Sequence, residues 1–199
     1  MKLIIFDFDG VLVDTLGIVY TLNREIDPDL SLEQYKSFYK GNIHNAIKAD
    51  GSAKSYRSDF DDEYSERTRE LKVPDELKRI VSELSSKYTL AIVSSTSTAS
   101  IKNILEREGI YPSFSDISGS DVHKNKSFKI KAVMEKYKVT PEESVYITDT
   151  VGDIMEARAC GVRAIAVTWG YHDEKTIAEV KPAKIVRTPA ELLKTIKEI

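Results

Sequence analysis

Two carboxylates stand two residues apart where the first apolar run ends, in Asp7-Phe8-Asp9-Gly10-Val11-Leu12-Val13-Asp14. Alternate residues at a strand end can face one site once the chain curls, and Gly10 permits that curl. Such a pair divides the labour of phosphoryl chemistry. One carboxylate attacks phosphorus and forms an aspartyl phosphate, while the other carries the proton of the leaving or attacking oxygen. Acidic residues also simply favour strand-to-loop transitions, so the spacing alone says little. The same pair directly after an N-terminal apolar run, followed by Gly-Val-Leu, is much more specific.

Three further places carry matching chemistry. Ser94-Ser95 ends another apolar run, and a hydroxyl beside the free N–H groups of a helix start is a phosphate cradle; an ordinary N-cap is the plainer account of the same residues. Lys126 opens a helical stripe and could neutralise a phosphoryl oxygen as a point charge, with Lys124 and Lys129 as neighbouring competitors and solvated surface lysine as the ordinary alternative. Asp149 follows the run Val145-Tyr146-Ile147, and Asp153 lies one turn on if a helix starts there; each singly could be a capping residue. Carboxylates converging from two strand ends repel one another unless a hard cation sits among them, and Mg²⁺ takes a few carboxylates while keeping waters. Four strand ends thus yield a carboxylate pair, hydroxyls, a lysine near a helix start and a second carboxylate pair.

The elements that must position these groups are legible as periodicity. Leu3–Phe6, Leu90–Val93, Val145–Ile147, Ala164–Val167 and Ile185-Val186 are continuous apolar runs, as in strands covered on both faces, and Phe114–Ile117 is a weaker one. Between them Leu77, Ile80, Val81, Leu84 and Tyr88 repeat at helical spacing, as do Ile130, Val133, Met134 and Tyr137, and Leu192, Leu193, Ile196 and Ile199 near the end. The alternation predicts an α/β fold with a doubly wound parallel sheet, whose ligands sit outside the carboxyl ends of the strands. One stretch breaks it. Residues 15–73 hold no strand-like run but carry amphipathic pieces such as Leu32, Tyr35 and Tyr39, with turns at Gly41-Asn42 and Asp50-Gly51-Ser52. They are too many for one crossover and predict a small helical insert.

Composition bounds the function. The 199 residues hold 29 Lys+Arg against 32 Asp+Glu, a formal net charge of −3, which excludes a nucleic-acid binder relying on bulk positive charge. Hydrophobic residues at 41% and charged residues at 31% exclude a disordered chain. The single cysteine, Cys160, excludes an internal disulfide, and with only 3 His it excludes a Cys/His zinc cage. No apolar run approaches the ~18 residues of a membrane span. The opening KLIIF reads as a strand rather than a targeting leader, so the expected setting is the cytoplasm, without a membrane partner.

On DFDGVLVDT, the AIVSS strand end, Lys126 with the following SFKI, YITDTVGDIMEARACGV and the tail from AIAVTWGYHDE through KIVRTPAELL, the chain resembles the haloacid dehalogenase superfamily of phosphohydrolases. The resemblance is to its phosphoglycolate phosphatase-like branch, which has a small helical cap after the first strand. It implies a HAD-like, Rossmannoid core of residues 1–14 and 74–199 and a helical cap of residues 15–73. It also implies a Mg²⁺-dependent phosphatase acting on a small phosphorylated metabolite, nominally phosphoglycolate. Asp7 is then the nucleophile and Asp9 the general acid/base, and Ser94 and Lys126 hold phosphate, with Ser95 beside them. Mg²⁺ is bound by the Asp7 carboxylate, the Asp9 backbone carbonyl and Asp149, with Asp153 in support. The chain departs from the family in having Thr148 where Gly commonly precedes the metal-binding Asp, and in lacking a proline after Lys126. The insert is the least recognisable part; Lys40, Gly41, Asn42 and His44 are its candidate substrate contacts. The alternatives are a phosphosugar mutase of the same superfamily and a non-hydrolytic phospho-acceptor receiver domain, which needs no such insert. A dehalogenase has no use for a proton-donating Asp9, and nothing in the motif set is missing as it would be in a dead interaction protein.

Overall fold

A computed structural model describes residues 1–49 and 60–199. Six strands form one sheet: β1 (Leu3–Phe6), β2 (Thr89–Val93), β3 (Asp116–Ser118), β4 (Ser144–Thr148), β5 (Arg163–Val167) and β6 (Lys184–Val186). Their order is β3-β2-β1-β4-β5-β6, with every neighbouring pair parallel. The five strong apolar runs are all strands. The weak sixth run shifts towards its C-terminal end: Phe114 leaves the ladder, and its ring instead packs edge-on against Phe6 at 6.0 Å.

Both faces of the sheet are covered, which is why its strands read as continuous apolar runs. Alternate residues serve opposite layers. Ile4, Phe6, Leu90 and Ile92 pack with α5 (Asp75–Ser85), α6 (Thr98–Arg107) and α10 (Pro189–Glu198). Leu3, Ile5, Ala91 and Val93 pack with α7 (Lys126–Tyr137), α8 (Val151–Ala159) and α9 (Glu174–Ala178). The predicted stripes face the core from α5, α7 and α10, except that Ile199, past the end of α10, is exposed.

The described part of residues 15–73 is helical, as expected: α1 (Leu16–Ile26), α2 (Leu32–Ser37) running into a 3₁₀ turn at Phe38–Lys40, α3 (Ile43–Ala49) and α4 (Phe60–Arg67). Ser31 and Gln34 start α2 with a reciprocal capping box. The insert has its own apolar cluster of Val19, Leu22, Leu30, Tyr35 and Tyr64, which Tyr171 of the core joins. Gly41-Asn42 separates the 3₁₀ turn from α3, whereas the turn expected at Asp50-Gly51-Ser52 lies outside the described residues. Among the described residues no helix is long and apolar enough to cross a membrane.

Register sets where the chemistry emerges. Leu3 pairs with Thr89 on one side and Ser144 on the other, so Phe6, Ile92 and Ile147 lie level. Asp7, Ser94 and Asp149 therefore leave the sheet together at its carboxyl edge.

Candidate active site

Just past β1 the chain curls tightly. The Phe8 carbonyl accepts from the amides of Val11, Leu12 and Val13, and Gly10 N–H donates to Val13 O at 2.8 Å. Gly10 has φ +74°, a conformation open to glycine but strained for other residues. A Cβ there would also lie 2.0 Å from Asp149 Oδ2, and one on Gly170 would lie 2.2 Å from the same atom. Two glycines thus let backbone close around the Asp149 carboxylate.

Asp7 is buried. Its Oδ1 accepts from Phe8 N–H at 2.8 Å and its Oδ2 from Lys126 Nζ at 2.8 Å. The same ammonium donates to Asp153 Oδ2 at 2.7 Å, so geometry selects Lys126 among the three lysines as the partner of both carboxylates. Burial pushes the Asp7 carboxyl well up; Lys126 opposes this, and the charges of Asp153 and Asp149 add to it. Burial also pushes at Asp153, but Lys126 and the hydrogen bonds it accepts hold that carboxyl down. Lys126 stays firmly protonated, because the two carboxylates outweigh its burial. Lys129, equally hidden, is a structural tie instead: it donates to the carbonyls of Ser94 and Gly119, linking the ends of β2 and β3. Burial, then Lys126, draws its pKa down to about 8.

Asp149 is wholly buried, and its carboxyl is pushed up to about 7, chiefly by burial. Oδ2 accepts from Tyr171 N–H at 2.6 Å, while Oδ1 has no hydrogen-bond partner among the described residues. An orphaned carboxylate oxygen in the interior calls for a cation or a proton. The unusual Thr148 donates through Oγ1 to Asp153 Oδ2 at 3.0 Å, so a hydroxyl replaces the commoner glycine and fixes the lysine's second partner.

Asp9 is held differently. Thr15 Oγ1 and Tyr64 Oη donate to Oδ1, each at 2.8 Å, while Thr96 Oγ1 at 2.7 Å and Ser94 Oγ at 3.3 Å donate to Oδ2. Hydroxyls can donate or accept, so this ring keeps Asp9 hydrogen-bonded with or without a proton. Ser94 is wholly buried and its hydroxyl also accepts from Thr96 N–H at 3.0 Å, so it faces Asp9 and the turn. The helix start expected directly beside it lies further along the chain. α6 begins later, at Thr98, whose N–H donates to Asp121, and Ser97 caps Ser100 N–H.

A cavity of about 270 Å³ opens over these groups. Of the residues singled out in the sequence, Asp7, Asp9, Ser95, Lys124, Lys126 and Asp153 line it from the core, and Gly41, Asn42 and His44 from the insert. Ser94 and Asp149 stand behind its wall. Lys40, expected as a contact, is exposed and does not line it, because the 3₁₀ turn directs it to solvent. Sequence reasoning missed Thr15, Tyr64, Thr96 and Tyr171. Thr96 carries a local signal, its place just after the Ser94-Ser95 strand end, and Thr15 and Tyr171 lie in the quoted DFDGVLVDT and AIAVTWGYHDE segments, whereas Tyr64 has none.

The haloacid dehalogenase-like hydrolase family model matches residues 4–167, which span Asp7, Asp9, Ser94, Ser95, Lys126, Asp149 and Asp153. The chain belongs to this family. It is 24% identical to a phosphoglycolate phosphatase of Synechococcus elongatus over 209 residues, covering 100% of this chain and 99% of that one. With a phosphoglycolate phosphatase of Vibrio parahaemolyticus it shares 27% identity over 98% of this chain and 96% of that protein. The fold matches the haloacid dehalogenase-like protein SP0104 of Streptococcus pneumoniae with a TM-score of 0.81 at 23% identity, covering 98% of each chain. It also matches CbbY of Rhodobacter sphaeroides, solved with phosphate, with a TM-score of 0.75 at 18% identity and 96% coverage of each.

Proposed function

We propose that this chain is a phosphatase that hydrolyses the monoester of a small metabolite through a phosphorylated Asp7, with Mg²⁺ as cofactor and residues 15–73 as a cap over the site. The observation that carries the reading is Lys126 Nζ, 2.8 Å from Asp7 Oδ2 and 2.7 Å from Asp153 Oδ2, in a cavity that Asp9 also lines.

The donor set fits a hard cation. Asp7, Asp149 and Asp153 are buried against one paired ammonium, and Asp149 Oδ1 lacks a partner among the described residues. Among those residues no three His, Cys, Asp or Glu side chains form a cage of their own. Mg²⁺ needs none, since it keeps waters and takes one or two carboxylates plus substrate oxygens. Asp7, Asp149 and the Asp9 carbonyl would hold it, with Asp153 in support through Lys126. Bound there, it supplies positive charge that offsets the repulsion between the phosphate dianion and Asp7.

Asp7 attacks phosphorus as the bond to the ester oxygen breaks, while Lys126 and Ser95 hold phosphoryl oxygens. Asp9 gives its proton to the departing alkoxide, then takes one from the water that attacks the aspartyl phosphate. That attack breaks the bond to Asp7 and releases inorganic phosphate. Both states of Asp9 remain hydrogen-bonded by its hydroxyl ring.

Phosphate release from a panel of monoesters tests the reading. Phosphoglycolate belongs in the panel because several relatives bear its name. Chelation should abolish turnover, and Asp7→Asn should abolish phosphoenzyme. Asp9→Asn should slow alkyl esters far more than aryl esters, whose leaving groups need little protonation. Full activity after exhaustive chelation, or transfer to a second sugar hydroxyl in place of phosphate release, would sink it.

A further inference from the structure

The two walls of the cavity differ in kind. All of its Asp, Glu and Lys residues among the described ones come from the core: Asp7, Asp9, Asp153 and Glu156 against Lys124 and Lys126. The insert wall holds the apolar and aromatic Val19, Tyr35, Tyr39, Ile43, Phe60 and Tyr64 beside the polar Asn23, Asn42 and His44, and among its described residues no Lys, Arg, Asp or Glu. The tyrosine hydroxyls are already engaged with protein groups. Tyr35 and Tyr39 bond each other at 2.7 Å, Tyr64 donates to Asp9, and Tyr171 pairs with Thr15 at 2.9 Å. Tyr35, Tyr64 and Tyr171 are buried, so the ring surface open to a ligand is that of half-buried Tyr39 and Phe60, and an edge-to-face chain backs Tyr39. Tyr35 meets Tyr39 at 5.5 Å between centroids, and Tyr39 meets Tyr171 at 4.9 Å.

With the phosphate placed against Asp7 and Lys126, the remainder of the substrate faces this wall. A carboxylate there would leave water for a wall with no Lys or Arg among its described residues and would face four carboxylates across the cavity, which is costly. A flat apolar group would instead bury against rings that favour edge and face contacts. The volume of about 270 Å³ lies just below the usual range for ligand sites, which favours a compact leaving group.

We propose that the leaving-group end of this cavity selects an uncharged, compact, single-ring alcohol, so that arylmethyl phosphates are better substrates than carboxylate-bearing esters such as phosphoglycolate. This rests on the phosphatase reading above, and the experiment separates the two. Benzyl phosphate, ethyl phosphate and phosphoglycolate all leave as primary alcohols, so their comparison reads binding rather than leaving-group acidity. With Mg²⁺, benzyl phosphate should exceed both others at least tenfold in kcat/KM, mainly through KM. In calorimetry, the non-hydrolysable 2-phenylethylphosphonate should bind at least tenfold more tightly than 3-phosphonopropionate. Asn23→Lys, which places an ammonium on the insert wall, should raise kcat/KM for phosphoglycolate severalfold and lower that for benzyl phosphate.

Phosphoglycolate equal to or better than benzyl phosphate, or 3-phosphonopropionate binding as tightly as the phenyl compound, overturns the proposal. So does failure of both phosphonates to bind. If no ester is hydrolysed while the phenyl compound still binds more tightly, the phosphatase reading falls and the assigned ring site stands.

Discussion

At the scale of single residues, the site is under electrostatic tension that a bound cation would relieve. Asp149 is the clearest case, since its carboxyl is lifted from 3.8 to about 7, first by burial. Between those two values Asp149 holds its proton more in the folded metal-free chain than in the unfolded one. Its contribution to stability therefore falls as pH rises from about 4 to about 7 and is level above that, as linkage requires. Asp149→Asn removes this contribution while leaving an oxygen for Tyr171 N–H. Without metal, the variant should be the more stable by on the order of 2–4 kcal/mol at about pH 8, with the gap closing near pH 4. Urea unfolding across that range checks it. Added Mg²⁺ should stabilise the native chain and leave the variant unmoved; a gap independent of pH would refute the account.

At the scale of elements, α4 delivers to β1 what no local pattern announces. Tyr64 is spaced as a buried position of a short amphipathic helix, yet its hydroxyl donates to Asp9 Oδ1 at 2.8 Å across 55 residues of chain. Tyr64→Phe keeps the ring and removes one of the four donors to Asp9. Turnover of an alkyl ester should fall about fivefold, what ~1 kcal/mol amounts to, with KM nearly unchanged and p-nitrophenyl phosphate less affected. An equal loss on both esters would place Tyr64 outside proton transfer. The contrast with the sheet is instructive. Ile4, Ile92 and Ile147 could be assigned to strands because burial on both faces writes itself into consecutive residues, and the carboxylates follow those strands directly. β3 slipped because Asp116–Ser118 is an edge strand of mixed burial whose Phe114 serves packing instead of the ladder. Ser94 lay where expected, but its hydroxyl bonds depend on Asp9 and Thr96 from two elements. Position was legible, and direction was not.

At the scale of the molecule, the insert straddles the strand ends with one foot on each side. On one side α4 meets α6, where Ser65 and Ser100 hydroxyls are 2.8 Å apart. On the other, the loop after the 3₁₀ turn rests on α8. Asn42 donates to Glu156 at 2.7 Å and to the Lys124 carbonyl at 3.2 Å, and His172 bridges Val151 N–H to the Lys36 carbonyl. Because Val151 N–H donates to Nδ1, the ring's proton lies on Nε2 and goes to Lys36 O. The closest point is Gly152, where a Cβ would lie 2.2 Å from the Gly41 carbonyl oxygen and 2.9 Å from that of Tyr39. Backbone cannot fold away as a side-chain end can, so Gly152→Ala must lift this foot. The substitution suits α8 itself, since Ala is a better helix former than Gly by ~1 kcal/mol. The core and the foot on α6 should therefore persist. If residues 15–73 serve only the leaving group, the variant should keep acetyl phosphate turnover within about threefold while KM for its best ester rises about tenfold or more, the signature of lost uniform binding. Faster proteolysis within 15–73, with circular dichroism unchanged, would accompany it. Loss of acetyl phosphatase activity as severe as that of Asp7→Asn would mean instead that the foot on α8 holds the catalytic floor in place.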